Sequence, residues 1–355
     1  MVINSLRLIN YRSYKDKTFN FDQKLNILVG KNAQGKTNVI EAIFFAVIGK
    51  SFKTSKEKEV IKWGENKAYI CGEFSKRYRD EKIEIYFDEN KKKSIKIDEI
   101  GIHKIGELMG RANAVFFSPD ELKLVKESPD ERRRFMNIDI SQTNKRYFYL
   151  IGRYEKVLAN RNKLLKSTKD IEVVKETVEI WDRALSDLAE KIAIERQKFI
   201  DELLPYAKLA HQYISGGKED IDIKYISSFD CDGYSEKMFK YLQKNIEKDF
   251  KLGYTTVGTH RDELDIYLNG TEVKNYGSQG QQRTVALSMK LAELEIIKNR
   301  VGEYPILLLD DVFSELDSER RKKLLNFTSK TQTIITCTEF NEKVKANVIN
   351  IVKED

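Results

Sequence analysis

Apolar and polar positions alternate at the two ends of the chain, whereas in its middle the apolar residues recur at helical spacing. Val2 to Tyr11 and Lys17 to Phe21 alternate in the manner of two strands at a sheet edge. Leu25 to Val29 is a continuous apolar run, the signature of a buried strand. Asn38 to Gly49 follows as a helix-forming run with Ile40, Ile43, Phe44 and Val47 on one face. Ala68 to Phe74, Lys82 to Phe87 and Ser94 to Ile97 read as antiparallel strands, with Lys91-Lys92-Lys93 at a turn. Ala112 to Phe117 is a further strand, closed by Ser118-Pro119-Asp120. After Pro129 no proline occurs until Pro205, and two helical stripes follow. Tyr147, Leu150, Ile151, Tyr154, Val157 and Leu158 make the first; Trp181, Leu185, Leu188, Ile192 and Phe199 make the second. The break from Ser167 to Asp170 predicts two long antiparallel helices.

Strand signals return near Tyr254, with Leu264 to Leu268, a turn at Asn269-Gly270, and Thr271 to Lys274. A helix over Ser278 to Asn299, a strand over Pro305 to Leu309, a helix over Glu319 to Phe327 and a strand over Gln332 to Ile335 complete the pattern.

Composition narrows the class. The 355 residues are 41% hydrophobic and 34% charged, as in a globular protein with a highly charged surface. The net charge of +7 allows nucleic-acid binding without requiring it. Cys71, Cys231 and Cys337 lack metal-ligand spacing and read as reduced structural thiols of a cytoplasmic protein. The longest apolar run, Ala42 to Ile48, is too short to span a bilayer.

The candidate chemistry starts at Gly30-Lys31-Asn32-Ala33-Gln34-Gly35-Lys36-Thr37, which fits G-x-x-x-x-G-K-[ST] between a strand and a helix. The glycines let backbone N–H groups wrap the phosphates of ATP, and the helix N-terminus adds its positive dipole. Lys36 would reach the β- and γ-phosphates and Thr37 would ligate Mg²⁺. Ile306 to Leu309 ends in Asp310 and Asp311. Such a strand is expected beside the P-loop strand, with Asp310 on Mg²⁺ and Asp311 orienting or deprotonating the attacking water. Gly277-Ser278-Gln279-Gly280-Gln281-Gln282-Arg283 opens a helix as a second anion cradle. One nucleotide does not require both.

That stretch resembles the Ser-x-Gly-x-Gln signature of the ABC and SMC ATPases, and Ser314-Glu315-Leu316-Asp317 resembles their D-loop. Together with Ser118-Pro119-Asp120-Glu121-Leu122, Arg132-Arg133-Arg134-Phe135 and Gly258-Thr259-His260-Arg261-Asp262, these motifs resemble the RecF family of bacterial recombination mediators over essentially the whole chain. The sequence departs from the family pattern at Glu127, Asn137 and Thr259. It shows no obvious Q-loop glutamine, and Thr336-Cys337-Thr338 stands where ABC transporters carry a switch histidine.

The resemblance implies an α/β fold, an ABC-type P-loop ATPase head interrupted by an α-helical arm. The ATPase would occupy 1–117 and 253–355, and the arm 118–252. It implies an ATP-dependent head-to-tail homodimer in which Ser278, Gly280 and Asp317 face the nucleotide of the opposite subunit. It further implies work at double-stranded, gapped and junction DNA with RecR, RecO and RecA, and slow, DNA-dependent hydrolysis.

Basic residues suggest where DNA would lie. Arg146, Arg153, Lys156, Arg161 and Lys163 crowd one predicted helix, and Lys50, Lys53 and Lys56 a loop. His260 reads as a structural hydrogen-bonding histidine. A membrane-transporter ATPase would carry a shorter, less basic insertion, and a chromosome tether of the SMC kind would need many more heptads than 144–210 supply.

Overall fold

A computed structural model describes residues 1–167, 169–340 and 342–352, and for Glu315 the backbone. The chain divides into two units. The first comprises Met1–Leu122, Tyr206–Glu219 and Arg283–Asp355; the second comprises Lys123–Pro205 and Asp220–Gln282. These limits differ from 118–252. The helix Ile171–Ser215 runs on past Pro205 into the first unit, and the antiparallel pairing of Ile221–Ile226 with Glu263–Leu268 gathers the later segment, including Ser278, into the second.

The first unit holds two sheets. One is antiparallel, in the order Tyr14–Asn20, Val2–Tyr11, Lys67–Ser75, Asp80–Asp88, Lys91–Ile97, Ile100–Ile102. The lysine run 91–93 therefore begins a strand, and Glu89 and Asn90 make the turn. The other sheet is wholly parallel, in the order Asn347–Asn350, Leu25–Val29, Thr333–Cys337, Ile306–Asp310, Ala114–Phe117. The strand ending at Asp310 is thus one place removed from the P-loop strand, because Thr333–Cys337 intervenes.

The P-loop helix, Lys36–Ile48, touches strands of both sheets. Its burial is accordingly continuous from Val39 to Val47 rather than confined to one face, the outcome for a helix covered on both sides. Gln332 fastens the two sheets to each other. It accepts the Ile3 N–H at 2.7 Å and donates to the carbonyls of Ile3 and Asp22, both at 2.8 Å.

The second unit is helical, with a small sheet in the order Thr271–Glu272, Glu263–Leu268, Ile221–Ile226. A short helix, Val273–Tyr276, replaces the predicted continuation of the Thr271 strand. Pro129–Thr143, Lys145–Ser167 and Ile171–Ser215 form the main helices, and the predicted break falls between the last two.

Arg161 does not face solvent, contrary to the assignment to DNA. It is fully buried, donating to Asp182 and to Asp249 at 2.7 Å and to the Thr255 hydroxyl at 2.8 Å. The heptad spacing of Tyr147, Tyr154 and Arg161, all buried, puts it on the core stripe of its helix. Burial raises the Asp182 carboxyl while the guanidinium opposes that rise.

His260 is also structural. Tyr154 donates to its Nδ1 at 2.7 Å and its Nε2 donates to the Thr255 carbonyl at 3.1 Å, so the ring is a neutral tautomer. Burial, with Arg261, Arg133 and Arg161 adding repulsion, lowers its pKa to about 4.

Arg161→Ala should cost about 3–5 kcal/mol in denaturant unfolding, since it strands two buried carboxylates without a cation. Lys156→Ala, on an exposed turn of the same helix, should cost less than about 0.5 kcal/mol. Equal losses would remove the structural assignment of Arg161.

His260 should titrate in NMR near its lowered value of about 4 rather than 6.5. The unfolded chain binds the proton first, so this residue withdraws stability as pH falls through that window, by about 1.4 kcal/mol per unit. A folded-state midpoint above 6 would contradict the buried neutral ring.

Candidate nucleotide site

Strands of a parallel sheet expose their carboxyl ends along one edge, and ligands bind beyond that edge. Here the edge carries Gly30 after the P-loop strand, Asp310 and Asp311 on the next strand but one, and Thr336 and Cys337 on the strand between. Within the loop, Ala33 and Gly35 take left-handed conformations, with φ of 63° and 101°. Such reversals turn successive N–H groups toward one concavity suited to an anion. Gly35 is required sterically as well, since a Cβ there would come within 2.7 Å of Ser13 Oγ and 2.9 Å of Tyr14 Oη.

Ser13 and Tyr14 close the turn between the first two strands, and they buttress the loop. Tyr14 donates to the Gly35 carbonyl at 3.1 Å, and Asn38 donates to Ser13 Oγ at 3.2 Å. No local pattern in the chain signals this support, because the partners are separated by a strand and the loop itself. The Lys36 ammonium is held inside the loop by the carbonyls of Gly30 at 2.5 Å and Lys31 at 2.9 Å.

Thr37 donates to Asp310 Oδ1 at 3.0 Å, and Thr336 donates to the same oxygen at 2.7 Å. Thr336 Oγ1 in turn accepts the Asp311 N–H at 2.9 Å. The intervening strand thus supplies a hydroxyl that locks both acidic residues. Asp311 itself has φ 51°, a left-handed conformation rarely adopted by a residue with a side chain. Burial pushes the Asp310 carboxyl up, while the Thr336 and Thr37 hydroxyls and the Lys53 charge pull it back. One hydroxyl and one carboxylate are hard oxygen donors of the kind Mg²⁺ takes beside nucleotide phosphates. Among the described residues no cluster of three or more acidic, histidine or cysteine side chains offers an all-protein cage.

A buried carboxylate, Glu41, sits in the middle of the P-loop helix. Arg12 donates to it twice, at 3.0 and 2.7 Å, and Ser51 donates at 2.5 Å. Lys53, expected on DNA, is drawn to the same helix. Its ammonium donates to Asn38 Oδ1 at 3.0 Å and lies 3.9 Å from Glu41, and burial lowers its pKa. Lys50, Lys53 and Lys56 are all exposed, as are Arg146, Arg153, Lys156 and Lys163 in the second unit.

Ser278 and Gly280 belong to the second unit, unlike the P-loop. Ser278 is exposed and starts the helix Gln279–Val301 with reciprocal bonds. Its N–H donates to Gln281 Oε1 at 2.8 Å, and the Gln281 N–H donates to its hydroxyl at 3.3 Å. Asp317 caps the helix Ser318–Thr328, accepting the Arg320 N–H at 2.8 Å, and that bond holds its carboxyl below the usual range.

Known proteins resemble this chain over almost its whole length. The profile of the RecF/RecN/SMC N terminal domain matches residues 2–354. The DNA replication and repair protein RecF of Clostridium perfringens is 47% identical over 339 residues, covering 95% of this chain and 93% of that protein. Solved structures of the recombination mediator protein RecF in the RecFOR pathway, one RecF-ATPrS and one RecF-ATP, superpose with TM-scores of 0.91 and 0.90. Both are 34% identical, and they cover 99% of this chain and 96% and 95% of theirs. The ABC-type ATPase head fold follows.

Thr336→Val keeps the side-chain shape and removes the hydroxyl, leaving the Asp311 N–H and one Asp310 contact unpaired. The expected loss is about 1–3 kcal/mol in chemical denaturation. A change within experimental error would show that the bridge contributes nothing.

Proposed function

The chain belongs to the RecF family, and from that membership we propose that it is an ATP-dependent DNA-binding protein of recombinational repair and replication-fork restart. The observation that carries the reading is the hydrogen bond from Thr37 to Asp310 at the carboxyl edge of the parallel sheet, with the preceding residue, Lys36, held by the loop carbonyls of Gly30 and Lys31. Thr37 and Asp310 would hold Mg²⁺, which when bound neutralises charge on the β- and γ-oxygens of ATP. Lys36 faces those oxygens from inside the loop, and the N–H groups of residues 30–37 wrap them. Asp311, its backbone fixed by Thr336, orients the attacking water.

Ser278, Gly280 and Asp317 act on the nucleotide of a second copy, so that ATP closes a head-to-tail homodimer. The exposed bases Arg146, Arg153, Lys156 and Lys163, with Lys50 and Lys56, contact the phosphate backbone without reading sequence. DNA-stimulated hydrolysis is slow and resets the clamp. Partners are those of the RecFOR pathway, RecR and RecO, with RecA loading on gapped DNA as the outcome. The protein works in the cytoplasm. Among the described residues no helix is long and apolar enough to cross a membrane.

Sedimentation velocity with and without ATP and duplex DNA tests this reading. The unaltered protein should dimerise with ATP and bind duplex more tightly as a dimer. Lys36→Met should remain monomeric for want of productive nucleotide binding. Ser278→Arg should still bind ATP yet fail to dimerise, because it obstructs only the partner's nucleotide. Dimerisation by Ser278→Arg at the normal ATP concentration would sink the shared site, and an ATP-independent monomer would sink the clamp.

A further inference from the structure

Within the second unit, residues 253–262 lie along the helix Lys145–Ser167 and are fixed to it at several points. The N–H and hydroxyl of Thr255 both donate to Asn162 Oδ1, at 2.8 and 2.7 Å. Thr256 donates its N–H and hydroxyl to Asp249, and Tyr154 holds His260. Gly258 adopts φ 124°, and a Cβ there would stand 2.6 Å from Tyr154 Oη and 2.8 Å from Met238 Cε. Asp262 is buried and accepts from Tyr225, from the Ser228 N–H at 3.1 Å and from Arg196 at 3.2 Å.

Two side chains of this segment turn outward instead. Tyr254 and Arg261 are exposed, and the guanidinium lies 5.1 Å from the centre of the tyrosine ring. No carboxylate pairs with Arg261 among the described residues. Arg133 lies next to it, donating to the carbonyl of Asp262 at 2.7 Å, and the exposed Arg153 and Lys156 flank Tyr154 on the helix.

We propose that Arg261, stacked on Tyr254, is a pre-positioned phosphate contact for nucleic acid. It rests on the DNA-binding reading above and adds to it a point of contact outside the helix bases. Preorganisation suits this side chain to the role. A guanidinium presents a planar fork of donors that matches phosphate oxygens. Stacking on an aromatic face limits its freedom while leaving its edge open to a ligand. The buried bonds of Thr255, His260 and Asp262 fix the backbone on both sides, so little order remains to be imposed when phosphate arrives. Tyr254 also offers an aromatic edge to a sugar or an unpaired base, the combination that single-stranded segments favour. The neighbouring arginines add charge of the same sign, which disfavours a cationic ligand.

The phosphate could belong to DNA or to a nucleotide held by a second copy, and the test separates the two. Full-length Arg261→Gln, Arg261→Lys and the unaltered protein are titrated, with ATP present, into a fluorescent gapped duplex over a range of salt. Arg261→Gln should make the dependence of log affinity on log salt shallower by about one unit and weaken binding roughly fivefold. Arg261→Lys, which keeps the charge, should recover most of the slope. Nucleotide binding and ATP-driven dimerisation, measured without DNA, should be unchanged in both variants. Thermal unfolding should also be unchanged, because the side chain is exposed.

An unaltered slope in Arg261→Gln, while the parent protein binds, overturns this inference alone. A defect in dimerisation without one in DNA affinity assigns the phosphate to the nucleotide and overturns it as well. Absence of DNA binding by the parent protein defeats the underlying reading together with it.

Discussion

The structure of the first unit depends on enclosing one helix between two sheets. Lys36–Ile48 is apolar from Val39 to Val47 apart from Glu41, and no side of it could face water without exposing that surface. Its axis is therefore set by both sheets at once, and so is the position of its first turn, where Lys36 and Thr37 lie. The carboxyl edge of the parallel sheet then brings Asp310, Asp311 and Thr336 to that turn. Chemistry follows from a packing requirement: the two sheets must close on the helix before the acidic pair and the loop can meet.

The charged side chain between Val39 and Val47, Glu41, attaches what lies outside the enclosure. Glu41 is satisfied by Arg12 and Ser51, so the turn after the first strand and the loop after the helix are both tied to the nucleotide element. Removing one partner would leave a buried charge short of donors, which costs several kcal/mol. The same economy of shared atoms recurs at Thr336, whose hydroxyl serves two acidic residues.

Much of this was legible in the sequence where the signal is local. The P-loop, the apolar strand ending in Asp310-Asp311 and the serine that opens the helix at Gln279 each announce themselves within a few residues. What the sequence did not convey was the order of the strands, because the strand between Leu25–Val29 and Ile306–Asp310 comes from residues 333–337, later than both. Nor did it convey Tyr14 and Arg12 as supports, since their partners Gly35 and Glu41 lie in another element. The misassigned Arg161 teaches a finer lesson. Counting positive residues on the helix Lys145–Ser167 placed Arg161 with Lys156 and Lys163, yet the spacing of seven from Tyr147 through Tyr154 already assigned it to the core face. Lys53 carried no such periodic clue, and only the fold shows that this exposed lysine also donates to Asn38 and lies 3.9 Å from Glu41.

The Glu41 cluster also constrains how this chain can diverge from its relatives. Arg12, Glu41, Ser51 and Lys53 come from three separate elements, but their heads share one carboxylate. A change at any one of them alters the charge balance felt by the other three. Substitution one at a time is therefore penalised, whereas a compensated change at two positions is not. These four sites should behave in evolution as a single character, varying together or staying fixed, although nothing in their spacing along the chain would group them.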